Sequence, residues 1–160
     1  MKLFIHHLFF SAILATTLVI SHAQDNQKEF LDVHNAARAE VGVPPLKWNQ
    51  TLALYAQDFA NKVKHTCDNT MSSNGPYGEN TASGYVFTTT DAVNQWIGEE
   101  TNYDHNLNVC LNGKECKHYK QVVWKDSLYL GCANITCGAG WPFVVCEYYP
   151  PGNVNGAKPY

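Results

Sequence analysis

Apolar positions recur at helical spacing through the first half of the chain. Phe30, Val33, His34, Ala37 and Val41 fall on one stripe, which predicts an amphipathic helix. Asp25 or Asn26 can cap it, and Gly42 with Pro44 and Pro45 ends it. A second stripe, Leu52, Tyr55, Ala56, Phe59, Ala60 and Val63, predicts a helix capped by Asn49 and ending near His65. A third, Ala92, Val93, Trp96 and Ile97, predicts a helix capped by Thr90 or Asp91, with Glu99 in its last turn. Asn, Ser, Gly and Pro dominate residues 68–78, which read as loop, and Tyr103 to Cys116 reads as another. Towards the C-terminus the pattern changes. Ser127–Ala133 and Pro142–Tyr148 are β-branched and aromatic, and read as strands joined at Gly138-Ala139-Gly140. Helices first and strands last predict an α+β domain, its helices packed on a small antiparallel sheet.

Polar residues inside this pattern are the candidates for chemistry. Cys116-Lys117-His118-Tyr119-Lys120-Gln121-Val122-Val123-Trp124 sets an imidazole just ahead of a compact apolar run, so Val122, Val123 and Trp124 are expected to anchor His118. Gly75-Pro76-Tyr77-Gly78-Glu79-Asn80 fixes a backbone path around one carboxylate and aims Glu79. An acid at a helix C-terminus opposes the helix dipole, so Glu99 or Glu100 is expected to have a partner elsewhere. His34 lies on the buried stripe and reads as a hydrogen-bonded core histidine. Arg38, one turn on, is a candidate partner for a carboxylate.

Residues 1–23 change the compartment. Lys2, an apolar run centred on Leu8–Ile20 and the small residues Ser21 and Ala23 read as a secretory signal peptide cut after Ala23. The run is short for a membrane span. The remaining segment, 24–160, suits one domain with its own core, and a new N-terminal Gln24 can cyclise to pyroglutamate. All six cysteines lie in that segment, and an even count in a secreted chain implies three disulfides, with 15 pairings open. Paired C-x₂-C motifs of the zinc-finger kind are absent. Losing Lys2 leaves 10 Lys and Arg against 14 Asp and Glu. That excess of acid disfavours nucleic-acid binding and electrostatic attachment to anionic membranes. Lys114, Lys117, Lys120 and Lys125 read as a solvated rim. Asn49-Gln50-Thr51 and Asn134-Ile135-Thr136 are N-glycosylation sequons, which makes Asn49 and Asn134 candidates for modification.

Several of these motifs, in this order, carry a family resemblance. Val33-His34-Asn35 with Ala37-Arg38, Gly75 to Asn80, His118-Tyr119 with Gln121 to Trp124, and Cys146, Tyr148, Pro150 and Gly152-Asn153 resemble plant pathogenesis-related class 1 proteins. Those proteins belong to the superfamily of cysteine-rich secretory proteins and antigen 5. The resemblance implies a three-layer α-β-α sandwich. It also implies the pairings Cys67–Cys137, Cys110–Cys116 and Cys132–Cys146, worth about 2–4 kcal/mol each. It further implies a cleft of two His and two Glu proposed to bind a divalent cation. Glu79, Glu99 and His118 carry over; Ser72, in Met71-Ser72-Ser73-Asn74, stands where the second histidine is expected. Neither His65 nor His105 replaces it. Three ligands, one of them an imidazole, hold a cation weakly, so the expected cofactor is none, and the carboxylate–imidazole cluster orders the cleft without metal.

The function implied by the resemblance is that of a secreted, non-enzymatic plant defence protein of the apoplast or vacuole. It would be a monomer with no catalytic residue, bind a sterol or another apolar small molecule and act at a microbial surface or membrane. Two alternatives stand beside it. The tail Pro150–Tyr160 is a candidate defence-signalling peptide, although Tyr149 stands where related proteins carry an acid before the cut. A metal-assisted or Glu/His hydrolase is the other; the chain shows no nucleophile motif such as an elbow serine.

Overall fold

The computed structural model describes residues 26–84, 88–138 and 140–160. The signal-peptide reading, Asp25 as a cap and Ala139 of the inter-strand turn lie outside the described residues. Residues 26–40 form helix α1. Its buried face is Phe30, His34, Ala37 and Arg38, the spacing one helical stripe produces. Gly42 closes it at φ 72°, a left-handed conformation that costs glycine little. Asn35 then clamps the chain beyond Pro44 and Pro45: its Oδ1 accepts from Leu46 N and its Nδ2 donates to Leu46 O.

Strand β1, Lys47–Trp48, runs directly into helix α2, Gln50–Val63. The Asn49 side chain caps α2 by accepting from the backbone N–H of Thr51 and Leu52. Strand β2 is Gly78–Ser83 and helix α3 is Thr89–Gly98. The α3 cap is Thr88 rather than the expected Thr90 or Asp91. Asp91 sits at the third helical position and closes a reciprocal capping box with Thr88. A 3₁₀ turn, Glu99–Asn102, leads to the short hairpin β3, Tyr103–Asp104, and β4, Val109–Cys110. This hairpin, with a 3₁₀ turn at Leu111–Gly113, occupies the segment expected to be loop. Helix α4 is Lys117–Val122, and strands β5, Tyr129–Thr136, and β6, Pro142–Tyr149, complete the fold.

The main sheet has strand order β1-β5-β6-β2. It is antiparallel except where β1 runs parallel to β5. Side chains alternate across it. Phe143, Val145 and Ala133 pack under α2 with Ala56, Phe59, Ala60 and Val63. Leu130, Cys132, Val144, Cys146 and Tyr148 face the opposite way, against Phe30, Ala92, Val93, Trp96, Tyr119 and Val122 of α1, α3 and α4. The result is helix, sheet, helix. Gly131 sets the spacing of the first two layers: a Cβ there would lie 2.2 Å from Ala53 N of α2. Three disulfides cross-link the chain, Cys67–Cys137, Cys110–Cys116 and Cys132–Cys146. The last joins register partners on β5 and β6. Among the described residues no helix is long and apolar enough to cross a membrane.

Candidate functional site

The end of α3 and the start of α4 meet at one carboxylate. Glu99 is the C-cap of α3. Its Oε1 lies 2.6 Å from His118 Nδ1, and its Oε2 accepts from the backbone N–H of His118 at 2.9 Å and of Tyr119 at 3.3 Å. The N-cap of α4, Cys116, makes no side-chain capping bond. Glu99 therefore does that work from another element, and its negative charge sits at a helix N-terminus, where the dipole favours it. The mismatch at the end of α3 is resolved by α4. Glu100 also finds a partner, accepting from Tyr119 Oη at 3.3 Å.

Behind His118 runs a buried polar chain. Asn80 Nδ2 donates to His118 O at 3.0 Å and to Tyr148 Oη at 3.2 Å. Tyr148 Oη donates to His34 Nε2, 2.8 Å away, and His34 Nδ1 donates to Phe30 O at 2.7 Å. Burial, the largest influence, lowers the His34 imidazole from its usual 6.5 to about 4, so it is neutral. Arg38 differs from expectation. It meets four backbone carbonyls instead of a carboxylate, those of Pro44, Val122, Trp124 and Ser127, at 2.8–2.9 Å. Burial lowers it to about 10, which leaves it charged at neutral pH. This clamp fixes the end of α4, and with it the position of His118.

Glu79 belongs to a different pair. Alternation along β2 turns Asn80 towards His118 and Glu79 the other way, opposite its register partner Glu147. Glu79 is half-buried and its Oε2 accepts from Ser73 N at 3.0 Å. Glu147 is fully buried, and neither of its carboxyl oxygens has a hydrogen bond of good geometry, although the Glu79 carboxylate and Ser73 stand beside it. Burial, reinforced by Glu79, pushes the Glu147 carboxyl from 4.5 to about 9. Ser72 is exposed, and its Oγ accepts from Asn74 N.

Glu99 and His118 line a cleft of about 380 Å³ with Thr81, Trp96 and Lys117. Ser72 and Glu79 are outside that lining. The donor set does not fit a tight divalent-cation site. Both Glu99 oxygens are committed to α4, Glu79 is committed to Ser73, and among the described residues no three His, Cys, Asp or Glu side chains converge as ligands. Asn80 belongs to the Gly75–Asn80 motif, but its role depends on contacts with α4 and β6 that the motif does not display. Glu147 carries no local signature, because only the β2–β6 register sets it against Glu79.

A second concavity, about 290 Å³, opens between α1 and α2 over the edge of β5. Phe30 and Trp48 stack in it, ring centroids 6.3 Å apart. Leu54, 59% exposed, stands at its edge. The polar lining consists of amides, including Gln27, Gln50 and Gln57, and among the described residues no acidic or basic side chain contributes.

Residues 31–148 match the Cysteine-rich secretory protein family, CAP. The chain is 45% identical over 159 residues to Pathogenesis-related protein 1B of Nicotiana tabacum, covering 94% of each. It is 44% identical over 151 residues to Pathogenesis-related protein 1 of Arabidopsis thaliana, covering 94% of this chain and 92% of that protein. Among solved structures, venom allergen-like protein 4 of Schistosoma mansoni superimposes with a TM-score of 0.66 at 30% identity, covering 84% of this chain and 93% of that one.

Proposed function

This chain belongs to the Cysteine-rich secretory protein family, as a plant defence protein, and from that premise we propose that it is secreted and acts by binding a sterol or another apolar small molecule, without catalysis. The observation that carries the reading is the uncharged groove between α1 and α2. Trp48, stacked on the buried Phe30, and Leu54 offer an apolar face, and the glutamine amides of the lining offer hydrogen bonds to a single hydroxyl. That combination suits a molecule that is apolar over most of its length and polar at one end. A volume of about 290 Å³ receives part of a sterol and leaves the remainder in solvent.

Both Glu99 oxygens accept hydrogen bonds from α4, so Glu99 itself serves as a helix cap and positions a cleft wall. Removal of sterol from a microbial membrane requires affinity alone. The test is growth of a sterol-requiring microbe with the purified protein. Inhibition relieved by added sterol is expected; inhibition indifferent to sterol contradicts the reading.

A further inference from the structure

We propose that Asn49 carries an N-linked oligosaccharide, whose first sugars lie on a tyrosine platform formed by Tyr77 and Tyr149. Asn49-Gln50-Thr51 is a sequon at the start of α2. The cap uses only the side-chain oxygen: Asn49 Oδ1 accepts from Thr51 N at 2.9 Å and from Leu52 N at 3.2 Å. Glycosylation takes the nitrogen. Asn49 Nδ2 attacks the anomeric carbon of an oligosaccharide carried on a lipid pyrophosphate. The C1–O bond breaks, a C1–N bond forms, the lipid pyrophosphate leaves, and one amide proton passes to a base of the transferase. The amide oxygen keeps both cap bonds, so helix and modification are compatible.

The surroundings suit a sugar. Asn49 and Thr51 open onto a groove of about 460 Å³ whose other walls are Leu52, Pro76, Tyr77 and Tyr149. Tyr77 is held edge-to-face between Tyr55, at 5.0 Å, and Tyr149, at 6.1 Å, while Tyr149 remains 48% exposed. Tyrosine rings present an apolar face to sugar C–H groups and a hydroxyl for hydrogen bonds to sugar hydroxyls. The sugars would also cover the Tyr149–Pro150 junction, ahead of the C-terminal tail. The second sequon lies within β5, where Asn134 is exposed and its Nδ2 donates to Thr89 Oγ1 at 3.3 Å, and the groove it lines holds no tyrosine among the described residues. The tyrosine platform distinguishes Asn49.

This inference rests on the secretory reading, because the donor is met only in that pathway. The experiment expresses the full chain in leaf tissue and recovers it from extracellular fluid, beside Thr51→Ala and Thr136→Ala variants. Thr51→Ala removes the sequon but keeps the backbone N–H that Asn49 caps. Intact mass and peptide mapping should find one glycan at Asn49, lost in Thr51→Ala and retained in Thr136→Ala. Nitration of Tyr77 and Tyr149 should be at least about threefold faster in Thr51→Ala. A trimmed, extracellular chain with bare Asn49 overturns this proposal alone. Equal nitration overturns the platform, and a chain held inside the cell with residues 1–23 attached overturns the secretory reading and this proposal together.

Discussion

Glu99 is the residue on which the cleft depends. Its carboxylate caps α4 and orients His118 at once, so Glu99→Ala should loosen both. The side chain is 15% exposed, and a cap of this kind is worth about 1–2 kcal/mol. Amide hydrogen exchange should accelerate at His118 and Tyr119 and stay unchanged in α2; uniform acceleration, or none, would contradict the capping role. The sequence made half of this legible. An acid at the end of α3 announced a partner through the dipole rule, but the partner's identity required the α3–α4 geometry. Arg38 shows the opposite outcome. A buried cation suggested a carboxylate, yet three carbonyls at the α4–β5 connection and that of Pro44 satisfy it.

At the scale of elements, the α2–sheet interface is set by a missing side chain. Gly131 lets β5 approach the backbone of Ala53, and neither neighbour is a flexible side chain end that can yield. Gly131→Ala should therefore cost about 3 kcal/mol or more, near the upper range for overpacking. Denaturant unfolding measures it; a loss below about 1 kcal/mol would mean that the layers slide freely. The long apolar stripes of α1, α2 and α3 were readable from spacing alone. Strand β2 was not, because Gly78, Glu79, Asn80 and Thr81 carry no aliphatic alternation and their burial comes from β6. Helix α4 escaped notice because six residues are too few to display a period.

For the whole molecule, two buried groups oppose each other with pH. His34 is lowered to about 4, so the folded state binds fewer protons than the unfolded one, and its contribution is lost as pH falls from 6.5. Glu147 is raised to about 9, so its contribution is complete below 4.5 and lost as pH rises through 9. Between about 4.5 and 6.5 the slopes cancel, and stability should form a plateau. From 6.5 to 9 it should fall by up to about 1.4 kcal/mol per pH unit, and Glu147→Gln should flatten that fall. Denaturant unfolding across this range checks it; an alkaline decline unchanged by Glu147→Gln would contradict the assignment. The tail is part of the same body. Gly152 N donates to Gln121, Asn153 Nδ2 donates to Lys117 O, and Lys125 N donates to Pro159 O. A cut before Pro150 would therefore leave the peptide seated, which disfavours the tail as a readily released signal. The sequence marked this tail by its Pro-Gly-Asn turn, while its docking depends on α4 and was not legible. The most direct test of the central claim is titration of the full chain with a fluorescent sterol, in chelator and again with added zinc. Saturable binding is expected, equal in both, and at least about tenfold weaker in Leu54→Glu, a loss of about 1.4 kcal/mol. Absence of saturable binding, dependence on zinc, or an undiminished Leu54→Glu affinity would contradict it.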